Sequence, residues 1–168
     1  SKGYGFNSTF TKTSNNGWYV SGQTSYKKFG DFNSPDYILT NTGSESRAFS
    51  LFTGRKEFEQ GYEFYYSYLK NKIGILRSSH IGNVEDLVDG INSNQPRIID
   101  PFSYDISAPR QEVTHQIFKG KYFKRFKELG KLDIQYDYQN NHRFEFDIRR
   151  GDDRNVAAID LKLQSHTL

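Results

Sequence analysis

Polar and apolar residues alternate along most of this 168-residue chain, and a period of two places successive side chains on opposite faces of a β-strand. Tyr4, Phe6, Ser8 and Phe10 fall on one face of a first segment, with Gly5, Asn7 and Thr9 on the other. Ser14-Asn15-Asn16-Gly17 follows, a hairpin signal because Asn and Gly accept positive φ. The second segment, Trp18 to Phe29, sets Trp18, Val20, Gly22, Thr24 and Tyr26 against Tyr19, Ser21, Gln23 and Ser25. A third, Arg47 to Lys56, carries Phe49 and Leu51 on one face. A turn through Glu57-Phe58-Glu59-Gln60 leads to a fourth, with Tyr62, Phe64, Tyr66 and Tyr68 against Glu63, Tyr65 and Ser67.

The fifth segment, Arg110 to Phe123, leaves two facings open: Val113/His115/Ile117 and Gln116/Phe118/Gly120/Tyr122 are both plausible outward rows. In the sixth, Leu132, Ile134, Tyr136 and Tyr138 oppose Asp133, Gln135, Asp137 and Gln139. In the seventh, Ile159, Leu161 and Leu163 oppose Asp160, Lys162 and Gln164. The helical pattern lies in the longest connection, 74–109, where Asn83 can cap and Val84, Leu87, Val88 and Ile91 fall at i, i+3, i+4 and i+7, a stripe expected to be buried against a neighbouring loop or the rim of the strands. The pattern predicts an all-β chain, an antiparallel up-and-down meander of about seven strands with one short helix in a long loop.

Composition narrows the class. Aromatics make up 16 % of the chain, with 14 Phe and 12 Tyr, so the apolar rows are rich in Tyr rather than in branched aliphatics. A tyrosine phenol needs a polar partner, which suits a water–lipid boundary, where membrane barrels keep aromatic girdles. No run approaches the length of a transmembrane helix. The mean hydropathy of −0.81 does not exclude a membrane barrel, whose strands average out as polar. Segments of 9–11 residues cross a bilayer at a strong tilt, and short turns alternating with long loops are the habit of such barrels. The turns at 14–17, 57–60 and 128–131 then lie on the periplasmic side and the loops at 30–45, 74–109 and 143–158 outside the cell. Rows of Tyr and Phe touch hydrocarbon, and the Asp, Gln and Lys rows between them face a wet interior. A soluble β-sandwich that binds carbohydrate or protein is the rival from another class. It requires a chain that is monomeric and stable in water without detergent.

The absence of Cys removes disulfide scaffolds, zinc fingers and thiol chemistry. There is no Met, and the chain opens Ser1-Lys2-Gly3, so an internal piece of a longer protein is expected. Lys119-Gly120-Lys121-Tyr122-Phe123 resembles a basic-aromatic RNA-binding strand. A net charge of +3 with acids throughout argues against nucleic acid, and cations beside rings also mark a strand leaving a membrane. His80, His115, His142 and His166 show no metal-ligand spacing, so no metal site, cofactor or catalytic residue is expected.

Four segments carry a resemblance. Ser34-Pro35-Asp36-Tyr37-Ile38-Leu39-Thr40-Asn41-Thr42-Gly43, Gly74-Ile75-Leu76-Arg77-Ser78-Ser79-His80-Ile81-Gly82-Asn83, Pro109-Arg110-Gln111-Glu112-Val113-Thr114-His115 and Glu145-Phe146-Asp147-Ile148-Arg149-Arg150-Gly151 resemble, in order and spacing, segments of TonB-dependent outer-membrane receptors, especially those of Bacteroidetes-type bacteria. The resemblance implies that residues 1–168 are part of a 22-stranded barrel, without its N-terminal plug and C-terminal strands. It implies no enzyme but an active importer of a scarce ligand such as a ferric siderophore, driven by the TonB complex through the plug. Outer-membrane lipid and lipopolysaccharide would surround it. A passive porin-like or adhesin barrel is the nearest alternative, and would lack a plug upstream.

Within that frame, Arg77, His80, Arg110, His115, Arg149 and Arg150 border the long loops. If they converge at the mouth, their cations suit an anionic ligand. The competing and favoured expectation is that these arginines hold loops together against Glu112, Glu145, Asp147 and Asp152, or meet lipopolysaccharide.

Overall fold

Gly17 adopts φ +82°, a backbone that a side chain would strain, and a Cβ there would lie 2.5 Å from the Lys56 carbonyl. The chain reverses at this point between β1 (Gly3–Thr13) and β2 (Trp18–Phe29). A computed structural model describes residues 2–79, 83–148 and 155–168. Five further long strands follow as β3 and β4, two short ones, have been passed: β3 (Phe32–Asn33) and β4 (Ile38–Leu39) form a small hairpin, then come β5 (Ser44–Lys56), β6 (Gln60–Gly74), β7 (Arg110–Phe126), β8 (Gly130–Phe146) and β9 (Ile159–Thr167). One sheet contains seven strands in the order β1-β2-β5-β6-β7-β8-β9, each antiparallel to the next. The expected meander is therefore present. The sheet is open, with β1 and β9 at its edges.

The register assigns each residue a face. Tyr68, Tyr66, Phe64 and Tyr62 of β6 stand opposite Phe49, Leu51, Thr53 and Arg55 of β5, and opposite Gln116, Phe118, Gly120 and Tyr122 of β7. This settles the open facing of β7. Phe118 and Tyr122 join the aromatic rows, while Val113, His115 and Ile117 point the other way. Leu132, Ile134, Tyr136 and Tyr138 of β8 continue the aromatic face.

No second layer covers that face. Phe49 and Phe64 are each 45 % exposed and Ile134 is 46 % exposed. Among the described residues the buried apolar side chains are Ala108 and Phe123 alone. A soluble sheet needs one face packed against another element; this one is a single layer. No helix among the described residues is long and apolar enough to cross a membrane.

Four expectations change. β7 and β8 are 17 residues each, so β8 runs through the start of the loop placed at 143–158. The loop after β2 contains the β3–β4 hairpin, too short to show a period. The helical stripe is not buried: α1 spans Val84–Asn92, with Asn83 capping it as predicted through a bond from the Asp86 amide to Oδ1 (2.7 Å), yet Val84 and Ile91 are more than 70 % exposed.

The fourth change is in β9. Ile159, Leu161 and Leu163 stand opposite Glu145, Arg143 and Asn141, on the polar side, and Asp160, Lys162 and Gln164 join the aromatic face. Polar pairs across the strands hold this register: His142 Nε2 to Asp160 Oδ1 (2.6 Å), Gln164 Nε2 to Tyr138 Oη (3.0 Å), and Tyr136 Oη to His166 Nδ1 (2.7 Å). A one-residue slip would turn Asp160, Gln164 and His166 to the other face and break every one of these pairs.

β9 exposes a general feature. Toward the short turns, one face carries the long aromatic rows, while the other mixes polar residues with a Tyr19–Phe52–Tyr65 cluster. Toward the long loops the aromatic rows give way to Lys28, Glu45, Arg47, Lys70, Lys72 and Glu112, while the opposite face gains Leu69, Ile73, Val113, Ile117 and Leu161. In β6 and β7 the amphipathic sense inverts along the strand, while β8 keeps Phe144 and Phe146 on the aromatic face at its loop end.

Candidate functional site

The β2–β5 loop and the β6–β7 loop meet at one end of the sheet, and buried polar side chains tie these two together. Asp31 is almost wholly enclosed. Its Oδ1 accepts from the Thr42 amide (2.9 Å) and its Oδ2 from the Ser103 amide (3.2 Å), joining the β2–β5 loop to the β6–β7 loop. The Thr40 hydroxyl accepts from the Asp100 amide (2.8 Å), and the Thr40 carbonyl from the Arg77 amide (3.2 Å). Asn41 reaches furthest. Its Nδ2 donates to the carbonyls of Ile75 (2.9 Å) and Pro109 (2.8 Å), and its Oδ1 accepts from the Ser107 amide (2.8 Å). Gly74 passes so close that a Cβ would lie 2.3 Å from the Asn41 carbonyl oxygen.

Beside this knot lies a cleft of about 350 Å³, bounded by Tyr37 of the β3–β4 loop, Leu76 and Ser78, the Leu87–Ile91 side of α1, and Pro96 and Arg97. Arg97 forms an ion pair with Asp86 in the first turn of α1, and that hydrogen bond raises the guanidinium above its ordinary pKa. The Ser78 hydroxyl is buried at this cleft without a hydrogen-bond partner among the described residues. Asp86, Ser93, Asn94 and Gln95 complete a mixed lining in which the cation is already paired, which suits an uncharged or amphipathic group better than a bare anion.

Of the six residues proposed from sequence, Arg77, Arg110 and His115 lie among the described residues. Arg77 lies in a 3₁₀ turn (Arg77–Ser79) and faces Asp100, with 3.4 Å between Nη1 and Oδ2. Arg110 begins β7, donates through Nε to Glu112 (2.9 Å), and stacks 3.8 Å from the Phe146 ring centroid. Its side chain is only 11 % exposed. Arg110 shares a face with Gly74 and Phe146, whereas His115, an odd number of residues on, projects from the opposite face opposite Leu69 and Asn141. A strand's period of two forbids their joining in one site. His80, Arg149 and Arg150 lie outside the described residues.

The expectation that loop arginines serve structure fits Arg110, whose planar guanidinium pairs with a carboxylate through Nε and stacks on a ring. Sequence reading passed over Asp31, Asn41 and Arg97. Asn41 and Tyr37 lie in one of the quoted segments, but nothing local marks Asp31 or Arg97, whose partners are far away in sequence. Among the described residues, no group of three or more His, Asp or Glu side chains could hold a metal ion. Compared with family models, curated proteins and solved structures, the chain finds no match.

Proposed function

We propose that this chain is a wall segment of an outer-membrane β-barrel of the TonB-dependent receptor type, whose full assembly imports a scarce ligand such as a ferric siderophore. One observation carries the reading: an aromatic band lies bare on one face of a single-layer sheet, bounded toward the loops by charge. Lipid is the environment in which such a band is stable, because hydrocarbon accepts the apolar rings while the girdle of phenols meets headgroups and water.

The strand lengths agree. Seventeen residues extend about 57 Å at the usual rise per residue, more than a tilted crossing of the hydrocarbon requires. The extra length falls on the loop side, where the outward face turns charged. The strands would therefore stand out of the membrane and carry the loop knot clear of it. Further strands would pair the free edges of β1 and β9 and close the barrel. Ligand capture would fall to the loops, and the plug expected upstream would gate passage under TonB control.

Membrane fractionation tests the placement: the intact protein is expected in the outer-membrane fraction, resistant to carbonate and high-salt washing. Loss of its gene should abolish uptake of one ligand in a profile of siderophores and other scarce nutrients. Recovery as a water-soluble monomer would refute the reading.

A further inference from the structure

The charged collar above the aromatic band is unbalanced. Arg47 of β5 stands directly opposite Lys70 of β6, an arrangement of like charges that weakens a sheet when nothing sits between them. Lys72 and Lys28 both stand opposite Glu45, but Glu45 is engaged by the Arg47 guanidinium through Nε at 2.7 Å, and lies 3.9 Å from Lys28. Glu112, opposite Lys72, is taken by Arg110. Lys70 and Lys72 make no ion pair among the described residues. Glu45, Arg47, Lys70, Lys72 and Glu112 together line a shallow cleft of about 240 Å³, and Arg47 lies 5.7 Å from the Tyr26 ring centroid in the last aromatic row.

We propose that this cleft seats the phosphate of an outer-leaflet lipid, bound by Arg47, Lys70 and Lys72. The inference rests on the membrane placement above. A phosphate between Arg47 and Lys70 converts the repulsion of facing cations into charge-assisted hydrogen bonding, and the guanidinium supplies a planar fork suited to its oxygens. The position selects a lipid over free phosphate. Arg47 and Lys70 share a row with Tyr26 and stand one row beyond Phe49 and Tyr68, so a lipid whose chains lie along the aromatic band brings its headgroup to this level. Glu45 orients Arg47 and would repel a second anion, which limits the seat to one phosphate.

The intact protein, purified in neutral detergent, is titrated with diphosphoryl lipid A, with the same lipid after enzymatic dephosphorylation, and with inorganic phosphate, bound lipid being read by native mass spectrometry. The phosphorylated lipid is expected to bind roughly tenfold or more tightly than the dephosphorylated one, and K70Q/K72Q to remove most of that difference. Inorganic phosphate alone should bind weakly and displace little lipid. Equal binding of the two lipids overturns the proposal without any variant having to fold, and so does an undiminished preference in K70Q/K72Q. Full displacement of the lipid by millimolar inorganic phosphate would assign the seat to the free ion instead and also overturn it. Outer-membrane fractionation of the source cells before solubilisation separates the two failures: a water-soluble protein defeats the membrane placement, whereas an outer-membrane protein indifferent to the lipid phosphate defeats this inference alone.

Discussion

Asn41 holds a left-handed backbone, φ 65°, while its amide bonds to Ile75, Pro109 and Ser107. Asn tolerates that conformation better than most residues, so two explanations for its presence can be separated. Asn41→Gly relieves the backbone and deletes the bonds; Asn41→Asp keeps an acceptor for Ser107 and loses both donors. Each variant is expected to lose roughly 2–4 kcal/mol from the loop end, because the Ile75 and Pro109 carbonyls lose their donor in both, and in the glycine variant the Ser107 amide also loses its acceptor. Thermal unfolding would report both losses, and hydrogen exchange at the Ser107 amide the glycine variant's. A glycine variant as protected as wild type would show that the backbone alone selects Asn. Arg110 supports a second prediction at this scale. Arg110→Ala removes a stacked, largely buried guanidinium and should cost about 1–3 kcal/mol, seen as fraying where β7 meets β8, with ligand affinity unchanged. A large loss of affinity with intact folding would return Arg110 to the binding site.

At the scale of the strand, the period of two makes neighbouring residues respond differently. Tyr66 lies mid-band with Leu51 and Phe118 on either side, and Ser67 faces the other way, between Ser50 and Ile117. Tyr66→Arg is expected to destabilise the barrel by about 2–4 kcal/mol, and Ser67→Arg by much less. The folded fraction on unheated gels is the measurement, and equal tolerance at both sites would argue against lipid on the aromatic face. β9 gives the reverse pattern near the loops. If the proposed placement holds, a cysteine replacing Lys162 should react from outside intact cells with a membrane-impermeant maleimide, and one replacing Leu161 more slowly, since it lies on the face that the proposed barrel turns inward. The alternating runs of β1, β2, β5, β6 and β8, the Asn-Gly turn and the Asn83 cap were all legible beforehand, because each depends on residues a few positions apart. The β3–β4 hairpin was not, since two residues per strand leave no period to detect.

Across the whole molecule, the layer has no core of its own, and its stability must come from what covers its faces and edges. In the proposed barrel, lipid covers the aromatic face, water and the plug meet the other, and neighbouring strands pair the edges. The intact protein should therefore keep its sheet in detergent above its critical micelle concentration and aggregate on detergent removal, as circular dichroism and sedimentation would show. A sheet that survives removal of all detergent would need a soluble partner on its aromatic face.

Alternation, turn chemistry and aromatic content were enough to determine an antiparallel meander with one Tyr- and Phe-rich face, because side-chain direction in a strand and positive φ in a turn are local properties. Which face β7 and β9 present, where the amphipathic sense inverts, and how Asp31, Asn41 and Arg110 find their partners were decided by tertiary structure. Those outcomes depend on register and on hydrogen bonds spanning up to 72 residues of chain. A shift of one residue in pairing leaves every local pattern intact and moves each side chain to the other side of the sheet.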